Sequence, residues 1–197
     1  MEHVISAARH AGLELAEREL SLLATYGEWL STEGYRAGGI GPEEISRIEL
    51  RHLADSLLFA TPFDSGIDHV IDLGTGVGLP GIPLAIAMPD IKFTLTDRSQ
   101  RRIDLVRRVI RILELENCQA VLGEIQVVGL EADTVVARAS LPPDRLRRVI
   151  PRLLRPGGLA VMGGSWQEPP SHHGWETMEI PPDVLDRPIW LLMMRSA

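Results

Sequence analysis

The feature that most constrains this chain is a short apolar segment that runs directly into a glycine-rich turn. Residues 69–73, His-Val-Ile-Asp-Leu, have the composition of a buried β-strand, and Gly74, Gly76 and Gly78 follow it. Pro80 then opens a predicted helix. In such a unit the glycines let the backbone approach a ligand closely, and the helix N-terminus offers free N–H groups. The segment therefore predicts an α/β domain that binds a nucleotide-like ligand.

Strands and helices are predicted to alternate after this turn. Further strands are expected at residues 91–97, 118–122, 133–137, 159–162 and 189–194, and helices at 80–88, 99–115 and 144–154. This alternation indicates a mostly parallel sheet with right-handed crossovers. The last strand is expected to form an antiparallel hairpin at the edge of the sheet.

The residues before the first strand have a different pattern. Apolar residues recur at helical spacing from Leu13 to Leu30, which predicts an amphipathic helix. Four glycines between Gly34 and Gly41 predict a loop, and Pro42 with two following glutamates predicts a second helix that reaches Phe59. We therefore expect an N-terminal helical extension, residues 1–62, followed by the α/β domain, residues 63–197.

Two carboxylates narrow the class of ligand. Asp72 stands directly before the glycines, where it would repel a pyrophosphate but hold a cationic amino group. Asp97 ends the next strand, where a carboxylate can accept both hydroxyls of a ribose. The segment 153–158, Leu-Leu-Arg-Pro-Gly-Gly, before a strand is a recurrent feature of class I methyltransferases. These residues favour a Rossmann-like class I methyltransferase with S-adenosylmethionine as cofactor, and a dinucleotide-binding dehydrogenase is the alternative.

Composition sets limits on partners and location. The chain has a net charge of −7 and one cysteine, Cys118, and contains no apolar run long enough to span a bilayer. It begins without the pattern of a signal peptide, so we expect a cytoplasmic protein. The acidic balance counts against nucleic acid. Two arginine groups nevertheless allow either a local basic patch or ordinary solvated helix faces: Arg98, Arg101, Arg102, Arg107, Arg108 and Arg111, then Arg145, Arg147, Arg148, Arg152 and Arg155.

Three segments resemble one family. They are residues 51–57, Arg-His-Leu-Ala-Asp-Ser-Leu, residues 72–84, Asp-Leu-Gly-Thr-Gly-Val-Gly-Leu-Pro-Gly-Ile-Pro-Leu, and residues 137–139, Ala-Arg-Ala. Over roughly residues 45–160 the chain resembles the glucose-inhibited division protein B family. Its members methylate N7 of a guanine in 16S ribosomal RNA. The resemblance implies this activity and a 16S RNA or 30S particle as partner; we expect a monomer.

The resemblance also implies roles for individual residues. It puts Gly74 and Leu79 against the cofactor, Ile125 and Gln126 on its adenine side, Arg138 beside cofactor and target base, and Arg101 at a position of RNA contact; His52 and Asp55 match the family's His and Asp before the sheet. We expect Arg138 to be the catalytic residue, and Arg102, His52 and Asp55 to lie with Arg101 on the RNA side. The chain departs from the family pattern at residues 31–41, at Glu124, and at Gly163-Gly164. A methyltransferase of this fold that acts on a small molecule or another RNA, and a non-catalytic paralogue, are the two other hypotheses.

Several residues have a structural interpretation as well as a functional one. His52 could serve the site or pair with Asp55 three residues on. The adjacent His172 and His173 lack further metal ligands at suitable spacing, which favours a solvent loop. Cys118 is predicted to be a core residue. Three tryptophans are predicted to be packing residues, whereas Trp166 could pack or stack on a base.

Overall fold

The computed structural model describes residues 1–123, 130–164, 166–185 and 187–197. Its centre is a seven-stranded sheet with the order β3-β2-β1-β4-β5-β7-β6. The strands are β1 (His69–Leu73), β2 (Lys92–Asp97), β3 (Cys118–Leu122), β4 (Ala132–Arg138), β5 (Leu154–Gly163), β6 (Glu176–Ile180) and β7 (Ile189–Arg195). Within this sheet β7 runs antiparallel to both β5 and β6, and the pairings among β1 to β5 are parallel.

The position of β1 determines where a ligand can bind. All five of its residues are buried, and β2 and β4 flank it on either side. The chain thus leaves β1 towards β2 and β3, and returns to β4 on the other side. In open α/β sheets, ligands bind at the carboxyl ends of the strands where the order reverses in this way. Asp72, Asp97 and Arg138 all lie at that edge of the sheet.

Helices cover the sheet and precede it. They are α1 (Glu2–His10), α2 (Glu17–Trp29), α3 (Asp55–Leu57), α4 (Gly81–Ala87), α5 (Gln100–Ile112), α6 (Pro143–Val149) and α7 (Pro182–Leu185). Helix α4 is buried along its whole length, as its apolar sequence predicts. Helix α5 buries Ile103, Val106 and Val109 and exposes its charged face.

The N-terminal region is helical, but its details differ from the prediction. Helix α1 was not predicted, and the amphipathic helix begins at Glu17 and continues as a π-helical turn, Leu30–Gly34. The second predicted helix is a helical segment, residues 42–60, which changes from 3₁₀ to π and then α hydrogen bonding. Its side chains share one hydrophobic core with α1, α2 and the sheet. The boundary between residues 62 and 63 stays a prediction.

The C-terminal region forms the expected antiparallel hairpin, with β6 at the edge. Strand β6 was not recognised because its sequence, Glu-Thr-Met-Glu-Ile, is largely exposed. Strand β5 starts earlier than predicted and includes the Arg-Pro-Gly-Gly segment, where the register shifts between Ala132 and Thr134 of β4. Throughout the described residues, no helix is both long and apolar enough to cross a membrane.

Candidate active site

Asp72 is fully buried at the end of β1 and uses its two oxygens differently. Oδ2 accepts hydrogen bonds from Thr75 Oγ1 at 2.6 Å and from the Gly81 backbone N–H at 2.9 Å, so it joins the glycine turn to α4. Oδ1 has no hydrogen-bond partner among the described residues. Burial raises the pKa of Asp72 to about 6, although the hydrogen bonds from Thr75 and Gly81 oppose the shift. A buried carboxylate oxygen without a donor is suited to an ammonium group.

The glycine turn leaves space beside this carboxylate. Gly74, Gly76 and Gly78 have φ values of 75°, 64° and 107°, which explains the need for glycine. A Cβ on Gly74 would meet Ser140 Cβ at 2.6 Å, and one on Gly78 would meet Ile82 Cδ1 at 2.5 Å. The backbone is therefore tightly packed at both of these positions of the turn. A Cβ on Gly76 would have no described atom within 4 Å. The middle of the turn therefore faces an open crevice.

The N-terminal region holds the turn from the other side. The Tyr26 hydroxyl, on α2, donates a 2.9 Å hydrogen bond to the Val77 carbonyl within the turn. Burial raises the pKa of Tyr26 well above its ordinary value, so the phenol remains a donor. A Cβ on Gly39 would lie 2.0 Å from Val77 Cγ1, which shows how tightly the loop after α2 covers the same residue. Neither contact can be predicted from the sequence, because Val77 is far from both Tyr26 and Gly39 in the chain.

Asp97 lies at the end of β2 and is also buried. Its Oδ1 accepts from the Ser99 N–H at 2.9 Å and its Oδ2 from the Gly76 N–H at 3.1 Å. Each oxygen retains a second lone pair for a ribose hydroxyl. A cleft of about 350 Å³ opens beside it, lined by Ala37, Gly39, Val77, Asp97, Arg98, Ser99, Arg101, Arg102 and Leu105. The structure thus brings Asp97, which is predicted to bind the ribose, to one cleft with Arg101 and Arg102, which are predicted to contact RNA.

Arg102 has a closer relation to the cofactor region than the sequence indicated. Its Nη1 lies 3.5 Å from Asp97 Oδ2. Further along α5, Arg107 donates to the Ala120 carbonyl and Arg108 to Glu33. Arg155, from the second arginine group, pairs with Asp133 near the start of β1, at the opposite edge of the sheet. Arg155 therefore lies away from the arginines that line the cleft.

Arg138 meets both residues that the family motif placed before the sheet. Its Nη1 lies 3.4 Å from Asp55 Oδ2, and its Nη2 lies 3.4 Å from His52 Nδ1. His52 and Asp55 thus both hold the guanidinium of Arg138, which is more specific than a simple pairing with each other. Burial raises the pKa of Asp55, whereas the nearby arginines lower it. The charge of Arg138 also acts to lower the pKa of Asp72, so the two sites are electrostatically coupled.

His52 is a neutral hydrogen-bond acceptor for Arg138. Burial, reinforced by the charge of Arg138, lowers its pKa to about 4. Because a guanidinium can only donate, Nδ1 of His52 accepts and the ring proton is assigned to Nε2. Nε2 lies 3.5 Å from Glu44 Oε2 but makes no hydrogen bond to any described residue. The contact with Glu44 is therefore not an ion pair at neutral pH.

The other residues singled out in the sequence are a further cofactor residue, the adenine-side pair, the cysteine and the tryptophans. Leu79 is buried in the glycine turn, where its N–H bonds to the Thr75 carbonyl. Ile125 and Gln126 lie outside the described residues, so their predicted adenine contact stays a prediction. Cys118 is a buried core residue whose pKa burial raises. Trp29, Trp175 and Trp190 are buried as predicted. Trp166 packs across Gly164 and against a hydrophobic cluster that includes Leu73 and Met162.

These residues suit S-adenosylmethionine. The orphan oxygen of Asp72 matches its ammonium group, the open side of Gly76 leaves room for its backbone, and Asp97 matches the ribose hydroxyls. No group of three or more His, Cys, Asp or Glu side chains that could hold a metal ion occurs in the part of the chain that the structure describes. The sheet order and the site together define a class I S-adenosylmethionine-dependent methyltransferase.

Comparisons with known proteins identify the family. The model of the GidB family, described as rRNA small subunit methyltransferase G, matches residues 19–173, and the chain belongs to this family. It is 41% identical over 150 residues to the ribosomal RNA small subunit methyltransferase G of Acidothermus cellulolyticus, an alignment that covers 75% of this chain and 67% of that one. The protein of the same name from Corynebacterium jeikeium is 37% identical over 166 residues, covering 80% and 73%.

A solved structure supports the fold separately. The crystal structure of a SAM-dependent methyltransferase from Aquifex aeolicus superposes with a TM-score of 0.57. The match covers 77% of this chain and 93% of that one, at 14% identity. The likeness therefore concerns the fold, which confirms the predicted class. Family membership sets aside the dehydrogenase alternative.

Proposed function

We propose that this chain transfers the methyl group of S-adenosylmethionine to N7 of a guanine in 16S ribosomal RNA. The observation that carries the proposal is the match of residues 19–173 to a family of rRNA methyltransferases, in a chain whose Asp72, Gly76 and Asp97 suit this cofactor. We further propose the 30S particle or its RNA as partner, a cytoplasmic location and a monomeric enzyme. The assignments of individual site residues are part of the same proposal.

The chemistry makes modest demands on the protein. When bound, S-adenosylmethionine supplies a methyl group on a positively charged sulfur. Guanine N7 has an in-plane lone pair and no proton at neutral pH, so its attack needs no general base. Aligning the acceptor and excluding water can contribute roughly 7–11 kcal/mol. This agrees with a site that contains Arg138 and the buried carboxylates of Asp72 and Asp97.

Each residue has a distinct task in this proposal. Asp72 holds the ammonium group of the cofactor and Asp97 its ribose. Arg138 stands at the end of β4, at the same edge of the sheet as Asp72 and Asp97, and it acts on the acceptor side. His52 and Asp55 orient its guanidinium from 3.4 Å. Because N7 must stay free for methyl transfer, Arg138 contacts a phosphate, the guanine O6 or the cofactor carboxylate.

Incubation with tritiated S-adenosylmethionine tests the activity. The acceptors are 30S particles, protein-free 16S RNA and a metabolite extract, each with the wild-type chain and with Asp72→Asn. We expect label in the ribosomal RNA with the wild-type chain and much less with the variant. Cleavage of the labelled RNA at N7-methylguanine by borohydride and aniline identifies the modified atom.

The same experiment separates the rival hypotheses. Label in small molecules alone indicates a methyltransferase that has changed its substrate. Cofactor binding without label in any acceptor indicates a non-catalytic paralogue. Label in RNA that resists aniline cleavage contradicts the N7 assignment while leaving rRNA methylation in place.

A further inference from the structure

Arg187 lies at the same edge of the sheet as the proposed active site. Strand β6 runs parallel to β5, because each is antiparallel to β7. The end of β6, the start of β7 and Arg187 therefore lie at the carboxyl-terminal edge with Asp72 and Arg138. Ile180, Leu185 and Ile189 are buried on either side of Arg187 and anchor the connection. Arg187 is outside residues 19–173, the part matched to the family.

Asp55 forms long ion pairs with two arginines. Arg138 Nη1 lies 3.4 Å from its Oδ2, and Arg187 Nη2 lies 3.9 Å from its Oδ1. Elsewhere in this molecule, Arg155 and Arg195 meet their carboxylates at 2.7 Å, which is the usual length of a charge-assisted hydrogen bond. The carboxylate of Asp55 therefore positions the two guanidinium groups without saturating their donors.

A third arginine acts on the same carboxylate. Arg51 acts electrostatically on both Asp55 and Arg187. Burial and repulsion from Arg51 lower the pKa of Arg187, while Asp55 and Glu44 raise it less. His52 adds no charge at neutral pH. Among the described residues, three arginines, Arg51, Arg138 and Arg187, thus act on the buried carboxylate of Asp55.

Arg187 also remains available to a ligand. Its side chain is 35% exposed, compared with 17% for Arg138. Its Nε is buried, so the Nη groups are the donors that a ligand would reach, and Nη2 lies 3.9 Å from Asp55 Oδ1. Two guanidinium groups that flank one carboxylate and retain free donors match the oxygens of a phosphodiester, which they can bind through paired N–H groups.

We propose that Arg187 and Arg138 together bind a phosphodiester of the RNA chain beside the methyl acceptor. Asp55 lies between the two guanidinium groups and sets their spacing. This inference rests on the proposed rRNA substrate and extends it to a residue outside the family match. The other anion that could occupy the site is the carboxylate of the cofactor, and the test distinguishes the two.

The salt dependence of RNA binding tests this site. The full-length chain and Arg187→Gln are titrated with labelled 16S RNA and with 30S particles at several KCl concentrations and constant magnesium. Loss of one phosphate contact lowers the slope of log K against log salt by about 0.7 to 0.9 in magnitude. We expect that change for Arg187→Gln, with unchanged affinity for S-adenosylhomocysteine. Arg187→Lys keeps the charge and should retain the wild-type slope.

Arg155→Gln is the matched control, because Arg155 is a similarly exposed arginine paired with a carboxylate at the opposite edge. Its slope should equal that of the wild-type chain. If Arg187→Gln does not fold, as judged by thermal unfolding, Arg187→Met keeps the aliphatic stem and replaces it in the comparison. An unchanged slope, or a loss of cofactor affinity in place of RNA affinity, overturns the phosphodiester site. A wild-type chain that binds neither RNA nor particle overturns the proposed function and this inference with it.

Discussion

Asp72 uses one carboxylate oxygen to fix the glycine turn and leaves the other without a partner among the described residues. Its Oδ2 fixes Thr75 and Gly81, and its Oδ1 stays unpaired among the described residues. Leaving a buried carboxylate oxygen without a donor costs stability. That cost is understandable when a ligand supplies the missing cation, which also lowers the pKa of the carboxyl group on binding.

The raised pKa of Asp72 leads to a prediction about pH. Below a pKa of about 6 the free protein carries Asp72 mainly as the neutral acid, so binding of a cationic ammonium requires loss of a proton. Affinity for S-adenosylhomocysteine should be nearly constant from pH 6.5 to 7 and fall by about tenfold for each pH unit below 6. Calorimetry from pH 5 to 7 measures this. In Asp72→Asn, affinity should be low throughout, and a wild-type steepness in that variant would exclude Asp72 as the titrating group.

Arg138 should be the most costly arginine to remove. Arg138→Ala leaves the buried Asp55 with Arg187 at 3.9 Å as its remaining ion-pair partner among the described residues. We expect kcat/KM for methyl transfer to fall by about 100-fold or more, because the acceptor loses its alignment. Stability should fall by roughly 1–3 kcal/mol from the unpaired carboxylate. Full methylation by Arg138→Ala at subsaturating cofactor, measured with tritiated donor, would contradict the role.

At the scale of elements, the loop after α2 controls how the glycine turn packs. A Cβ on Gly39 would collide with Val77 at 2.0 Å, and its backbone conformation is not the obstacle. Gly39→Ala should therefore push the loop from the turn, lower the free energy of unfolding by about 1–3 kcal/mol and weaken cofactor binding several-fold. Urea denaturation and calorimetry measure the two effects.

Gly41→Ala is the control for that substitution. It changes the same residue type two positions on, where a Cβ would approach Glu44 Cγ at an ordinary 3.9 Å. If both variants lose the same stability and cofactor affinity, the effect comes from reduced loop flexibility and not from the contact with Val77.

Much of the sheet could be predicted from the sequence, since buried parallel strands are short apolar runs between turns. Strands β1 and β3 begin and end where the pattern predicted. Strand β6 could not be recognised, because it lies at the edge of the sheet and is mostly exposed. It is a strand because it pairs with β7, and its sequence carries no pattern of buried apolar residues. The changes of hydrogen bonding within residues 42–60 depend on packing against the core, which periodicity does not encode. Tyr26 and Arg187 reach the site only through contacts between distant parts of the chain.

At the scale of the whole molecule, the N-terminal region packs against the glycine turn of the proposed cofactor site. Tyr26 connects α2 to the glycine turn through Val77, 51 residues away in the chain. Tyr26→Phe leaves the buried carbonyl without this donor and should destabilise the fold by roughly 1–3 kcal/mol. Cofactor affinity should fall several-fold in the same variant. Chemical denaturation and calorimetry compare it with Tyr35→Phe, which alters an exposed side chain and should change neither quantity.

The two edges of the sheet have different roles in this molecule. At the amino-terminal edge, Asp133 accepts from the Asp68 and His69 N–H groups and pairs with Arg155, which closes that end of β1 and β4. At the carboxyl-terminal edge, Asp72 and Asp97 stand beside the open side of Gly76. Stabilising contacts and the proposed ligand-binding groups thus lie at opposite ends of the same strands.

Calorimetric titration of the wild-type chain tests the central claim most directly, namely that the crevice at the end of β1 binds the methyl donor. We predict that S-adenosylmethionine and S-adenosylhomocysteine each bind with a stoichiometry of one. Asp97→Ala should weaken both by at least about tenfold, the effect of losing a charged hydrogen bond to a ribose hydroxyl. Tight binding of NADH or NADPH with no binding of either methionine derivative would contradict the account.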